Sequence, residues 1–191
     1  FCLSRGLGDV YKRQPYPVVT NSGSGNQGLA VSVPVIVYAR EEKLDKDTLI
    51  RALIVSNLLA IHQKTGIGRL SAYCGAVTAG AASAAAITYM RGGSYEQVCG
   101  TITNTLGTVS GLICDGAKQS CASKIAAALD CALFSHDMAM DGSYFDEGDG
   151  IVKGDIEKTI AGVGVVAAEG MVKTDKVILD VTVSYTHLRA H

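Results

Sequence analysis

From Leu70 to Met90 the chain carries no Asp, Glu, Lys or Arg, and the run is built mostly of Ala, Gly, Ser and Thr. Few environments suit such a segment. It is long enough to cross a bilayer, but it holds few large aliphatic residues, so its drive to insert is weak. It presents no charged face to water, so it does not read as a solvated helix. A helix buried on all sides inside a bundle satisfies both constraints, with small residues that let neighbouring helices approach closely.

The composition agrees. Apolar residues make up 48% of the 191 and charged residues only 18%, with 22 Gly, three Pro and no Trp. That length supports one domain with its own core. A net charge of −1 gives no electrostatic case for nucleic acid or for an anionic membrane, and neither is expected as a partner. Six cysteines could form disulfides, but no secretory signal is visible and a chain of this size needs no stapling. Reduced thiols and a cytoplasmic location are the expectation.

Asn21 to Gly28 is polar and glycine-rich and reads as a loop. Leu29 to Ala39 reads as a short apolar helix that accommodates Pro34 through a kink. Asp47 suits the cap of a helix reaching Gln63, with Leu49, Ile50, Leu53, Ile54, Leu58 and Ile61 as its apolar positions. Lys64 to Arg69 breaks that helix, and the uncharged helix from Leu70 to Met90 follows. Ser94 and Gln97 form a capping box for a helix directed toward Ile113. A further helix spans Ser120 to Met138, Asp141 to Gly154 is an acidic loop, and Asp155 caps a glycine-interrupted helix to Val172. Thr174 to Val183 is short and reads as helix or strand. The expected class is all-α, a helical bundle.

Three cysteines stand apart from this pattern. Cys74 opens the run Cys74-Gly75-Ala76-Val77-Thr78-Ala79-Gly80, and Cys114 and Cys121 bracket Asp115-Gly116-Ala117-Lys118-Gln119-Ser120. Three thiolates can hold a four-iron cluster while one iron stays open as a Lewis acid. On a continuous helix Cys114 and Cys121 would lie about 10 Å apart, so the chain must turn between them. Asp115-Gly116 supplies the break. Ser120 then caps the next helix and places Cys121 at its N-terminus, where free N–H groups and the helix dipole favour a thiolate. Cys74 reaches the same spot from early in the long helix, and the three sulfurs are expected within about 7 Å of one another, facing Ser22 to Asn26. The spacing is not that of a ferredoxin or a zinc ribbon, and on spacing alone three buried free thiols is the competing reading. Cys99 and Cys131 read as buried packing residues.

The stretches Gly23-Ser24-Gly25-Asn26-Gln27-Gly28, Ile67-Gly68-Arg69-Leu70-Ser71-Ala72, Cys74-Gly75-Ala76, Ile113-Cys114-Asp115-Gly116-Ala117-Lys118 and Glu169-Gly170-Met171 carry a family resemblance. Through them the segment from Asn21 to Asp180 resembles the C-terminal helical domain of the L-cysteine desulfidase family, itself related to the alpha domain of bacterial iron–sulfur L-serine dehydratases. The resemblance implies a helical bundle of the serine dehydratase alpha-domain type, with a [4Fe-4S] cluster held by Cys74, Cys114 and Cys121. It also implies a lyase that degrades L-cysteine to pyruvate, ammonia and hydrogen sulfide by α,β-elimination. L-serine dehydration is the same elimination with another leaving group, and the sequence leaves the two substrates open. A non-catalytic helical domain that binds an amino acid is the other class of function. Desulfidases begin with a region containing a cysteine proposed as catalytic base. Here adapter-like sequence stands in that place, so the base is unassigned and expected in a missing N-terminal region.

The loop from Asn21 to Gly28 offers hydroxyls, amides and backbone N–H groups, and Ser22, Gly23, Ser24, Gly25 and Asn26 are expected to cradle the carboxylate of a small-molecule amino acid. Lys64 and Arg69 flank the following glycine turn, and either can pair with that carboxylate; helix-end charges in solvent are the plainer reading. Lys118, between two of the cysteines, either tunes the cluster or points outward. His62 reads as a half-buried packing residue, and His136 with Asp137 as capping and solvation. Asp146, Glu147 and Asp149 read as a solvated loop. Residues 1–14 and 184–191 show neither helical nor strand periodicity and resemble translated sequencing-adapter read-through. Residues 15–183 are therefore expected to be the genuine helical iron–sulfur catalytic domain, a fragment of a longer gene product. A homo-oligomer is left open.

Overall fold

A computed structural model describes residues 18–68, 71–116 and 119–187, with side chains as far as residue 182. Arg69, Lys118, the expected tail at 1–14 and the last four residues lie outside the described residues. The elements are α1 (Gly25–Glu41), α2 (Lys46–Ile67), α3 (Gly75–Met90), α4 (Tyr95–Thr108), α5 (Ser120–Met140), α6 (Ile156–Val165), a π-helical turn (Val166–Gly170) and α7 (Val172–His187). The fold is all-α, as the sequence pattern predicts; only isolated bridges, and no strands, occur among the described residues.

The uncharged run becomes the axis of the bundle. Every residue of α3 from Ala76 to Thr88 is buried, and α1, α2, α4 and α5 all pack on it. Small side chains make this possible. A Cβ at Gly80 would stand 3.1 Å from the Ala128 carbonyl oxygen, so α3 and α5 meet there nearly backbone to backbone. No helix among the described residues is long and apolar enough to cross a membrane.

The caps follow local chemistry. Ser94 and Gln97 form the expected capping box, and Asp155 accepts from Lys158 N at 2.8 Å. The cap of α2 is Asp45 rather than Asp47: its carboxylate accepts both the amide (3.0 Å) and the hydroxyl (2.6 Å) of Thr48. The glycine-rich loop is shorter than expected, because Ser24 caps α1 and Gly25 to Gly28 form its first turn. Beyond α6 the chain passes through the π-helical turn, where Ser71 Oγ donates to Ala167 O at 2.7 Å, and Thr174 to Val183 is helix.

The expected apolar face of α2 is met in part: Leu49 and Leu53 pack against the cluster of Val35, Ala52 and Ala86. The buried residues of the helix are Ala52, Ser56, Ala60, Gln63 and Ile67, while Ile50, Ile54, Leu58 and Ile61 are exposed. The cause is α3: a neighbour made of Ala and Gly demands small residues at the contact. Ser56 fits because its hydroxyl donates to Val31 O at 2.6 Å.

Two histidines also depart from expectation. His62 is exposed and its Nε2 lies 2.8 Å from Glu157 Oε2, joining α2 to α6. His136 is only 4% exposed. Its Nε2 faces the Arg91 guanidinium at 3.1 Å, and a guanidinium only donates. The ring proton therefore sits on Nδ1 and is donated to Thr88 Oγ1 at 2.7 Å, which in turn meets Thr101 Oγ1 at 2.8 Å. This chain of polar groups ties α5 to α3 and α4.

Candidate functional site

The bundle leaves two segments extended, and these bring two of the cysteines together. α3 begins at Gly75, not at Leu70, so Cys74 is its N-cap rather than an early helical residue. α4 stops at Thr108 instead of reaching Ile113. The freed backbone around Tyr73 pairs antiparallel with that around Ile113: Cys74 N donates to Leu112 O at 2.9 Å, and Cys114 N to Ala72 O at 2.6 Å. Residues forty apart in sequence thus become neighbours. Cys121 arrives in the first turn of α5, which starts at Ser120 with Gln119, not Ser120, in the cap position. Its thiol donates to Gly116 O at 3.5 Å.

Cys74, Cys114 and Cys121 line one cavity of about 150 Å³, together with Ser24, Asn26, Gln27 and Ile125. The Cys74 thiol hydrogen-bonds the Cys114 sulfur, and the pair shares its proton unequally. That bond, with burial, pushes Cys74 far above the ordinary thiol range. The same bond, helped by the Gly116 amide and the charge of Lys124, brings Cys114 down to about 6. Of this pair, Cys114 is therefore the sulfur that ionises first. Among the described residues no group of three or more His, Cys, Asp or Glu is arranged to hold a single metal ion. Asn26 Oδ1 and Gln27 Oε1 are buried without hydrogen-bond partners, and their residues line the same cavity.

Gln27 escaped the reading of the sequence. It lies across the start of α3, in space that a Cβ at Gly75 would overlap. Ser24 followed three residues later by Gln27 is the pattern that places such a side chain in a first helical turn. Lys124 was missed as well: its Nζ donates to Ile113 O at 2.8 Å and pairs with Asp115. Its signal is position, one turn beyond Cys121 on the same helix.

The expected carboxylate cradle divides in two. Ser24 and Asn26 belong to the cysteine cavity. Ser22 and Gly23 line an adjoining cavity of about 620 Å³ with Ile61, Lys64, Thr65 and Gly68. Gly25 lines neither and begins α1 against Val18. Lys64 is half-buried, and among the described residues no carboxylate pairs with it. Desolvation lowers its pKa, while the negative charge that Cys114, and to a smaller extent Cys74, carries as a thiolate pulls it back up. The loop is held in an uncommon shape. Ser22 has φ +51° and Gly23 φ +81°, and Asn21 anchors them by donating to Asn57 Oδ1 at 3.0 Å.

Comparison with known proteins adds the following. The family model described as serine dehydratase alpha chain matches residues 13–180. A UPF0597 protein of Treponema denticola is 82% identical over 166 residues, covering 87% of this chain and 38% of that relative. A UPF0597 protein of Lachnoclostridium phytofermentans is 55% identical over 165 residues, covering 86% and 40%. One of Desulfitobacterium hafniense is 52% identical over 165 residues, covering 86% and 38%. The chain therefore spans about two fifths of the length of the curated relatives it matches. No solved structure matches it.

Proposed function

The chain belongs to the serine dehydratase alpha chain family, and on that premise we propose that it is the cluster-binding part of an iron–sulfur lyase acting on an L-amino acid with a leaving group on its β-carbon. The observation that carries this reading is the convergence of Cys74, Cys114 and Cys121 from three separate segments onto one cavity. Three sulfur donors suit iron–sulfur chemistry, and the partnerless Asn26 and Gln27 oxygens, which can only accept, suit the ammonium group of an amino acid bound beside a cluster. Cys74, Cys114 and Cys121 would hold a [4Fe-4S] cluster, which when bound supplies a Lewis acid at its one iron without a protein ligand.

The chain's own residues then divide the remaining work. Lys64, beside Ser22 and Gly23, binds and orients the substrate carboxylate. Desolvation of the Lys64 ammonium leaves it with fewer competing waters, which strengthens such a pair. With L-cysteine, loss of the α-proton and of hydrogen sulfide leaves an enamine, which water converts to pyruvate and ammonia. With L-serine, water leaves in place of hydrogen sulfide. The thiol leaving group matches a soft iron site, so L-cysteine is the favoured substrate.

The test is anaerobic reconstitution with iron and sulfide, followed by L-cysteine or L-serine and assay of hydrogen sulfide and pyruvate. The expected result is the charge-transfer absorption of a four-iron cluster, lost in Cys114→Ala. A chain that takes up no iron, or fills with zinc, belongs instead to the amino-acid-binding class.

A further inference from the structure

The cysteine cavity is braced by a cation that the reaction itself does not call on. Lys124 lies three residues after Cys121 on α5, and its side chain is 21% exposed. Its Nζ donates to Ile113 O at 2.8 Å and to Asp115 Oδ1, so it grips the residues on both sides of Cys114. Ile113 is in turn bridged to Tyr73, the neighbour of Cys74. One ammonium therefore ties the Cys114 segment to the helix of Cys121 and, through the bridge, to the Cys74 segment. The bridge's own hydrogen bonds, Cys74 N to Leu112 O and Cys114 N to Ala72 O, do not reach α5. The Cys121 thiol does reach Gly116 O, but that bond needs a proton that a ligating thiolate has given up.

We infer that Lys124 is a positioning residue for the three-cysteine site: it fixes Cys114 relative to Cys121 and sets a positive charge beside thiolates. The inference rests on the cluster reading above. A hydrogen-bonded group behind a metal ligand commonly governs metal affinity by 10- to 100-fold. A cation beside an anionic cluster favours its reduced form, because reduction adds negative charge.

The experiment compares the chain as it stands with Lys124→Met, which keeps the apolar stem, and Lys124→Arg, which keeps the charge. Hydrogen exchange across residues 112–116 is read on the metal-free proteins. Cluster loss to a chelator and the reduction potential are read after anaerobic reconstitution. Lys124→Met is expected to raise exchange at 112–116, to speed cluster loss by about 10- to 100-fold, and to move the potential to more negative values. Lys124→Arg is expected to restore the potential and most of the retention. Should Lys124→Met fail to fold, Asp115→Asn takes its place: it loosens the same brace and is expected to raise exchange at 112–116 and to speed cluster loss by a smaller factor, while the potential moves to more positive values because a negative charge is removed. A Met variant that keeps its cluster and potential like the parent chain overturns the inference while the cluster reading stands. A parent chain that takes up no iron overturns both.

Discussion

Leu58 and Ala60 lie two residues apart on α2, and the structure assigns them opposite weights from those their hydrophobicity suggests. Leu58 is 60% exposed; Ala60 is fully buried beside Ala76, Ala79 and Ile125. Full burial of a leucine side chain is worth about 1.5–3 kcal/mol. With two fifths of Leu58 covered, Leu58→Gln forfeits about 0.6–1.2 kcal/mol. Ala60→Leu forces extra methylenes into a closed site. Overpacking costs about 1–3 kcal/mol, and a helix interface built on alanine, with little room to give, belongs at the upper end. For a domain of this size each kcal/mol shifts Tm by about 2–4 °C. Thermal unfolding followed by circular dichroism at 222 nm should therefore show a drop of about 1–5 °C for Leu58→Gln and about 6–12 °C for Ala60→Leu. A conventional amphipathic helix predicts the reverse, since truncating a buried leucine costs about 2–5 kcal/mol. If Leu58→Gln proves more damaging than Ala60→Leu, the packing described for α2 and α3 is wrong.

Two further outcomes follow from titrating groups. Burial first, and the Arg91 guanidinium second, hold the His136 pKa below its ordinary value. A depressed folded-state pKa means that the unfolded chain binds the proton more readily. The stabilisation is present above the unfolded histidine pKa of about 6.5 and is lost as pH falls below it. Tm measured from pH 8 down to pH 5 should fall, and His136→Gln should flatten that slope while lowering stability at pH 8. Cys114, brought to about 6 by the hydrogen bond from Cys74, should react with iodoacetamide much faster than Cys74 at pH 7 in metal-free protein. Its rate should decline below about pH 6 as the thiolate is lost, with Cys74 nearly inert throughout; mass spectrometry of the labelled peptides reads both.

The uncharged run announced its burial because no other environment accepts it, and the capping residues Ser94 and Asp155 carried their geometry in their side chains. The side of α2 that buries Ser56 and Ala60 and exposes Ile50, Ile54, Leu58 and Ile61 was not legible. Its orientation depends on the size of the residues in α3, a property of the pair rather than of either helix. The ends of α3 and α4 were misplaced for a related reason. Leu70 to Tyr73 has little against helix in its composition, and in Val109 to Ile113 only Gly111 argues strongly against it, yet Tyr73 and Ile113 bridge instead. Local propensity is a weak prior, and long-range hydrogen bonds overrode it there. The cysteine set, by contrast, stood out in sequence as a departure from pattern, while the residues that support it did not. Gln27 reads as one more polar residue of the glycine-rich loop, and Lys124 as an ordinary helix-surface residue, until the turn preceding each is placed.

The loop from Asn21 to Ser24 joins these observations. A serine in the left-handed region costs energy that a glycine there would not, of order 1 kcal/mol or more. The chain holds Ser22 in that state with reciprocal hydrogen bonds between Asn21 and Ser24, at 3.1 and 3.0 Å, and with the Asn21 anchor on Asn57. Ser22 Oγ is fixed on Asn21 Oδ1 at 2.8 Å. Strain over-determined in this way concentrates at sites whose backbone must keep one shape. Here that shape decides which cavity each residue serves: Ser22 and Gly23 face Lys64, and Ser24 and Asn26 face the cysteines. The loop thus sets the start of α1, and with it the place of Gln27 across Gly75, by hydrogen bonds within the chain itself.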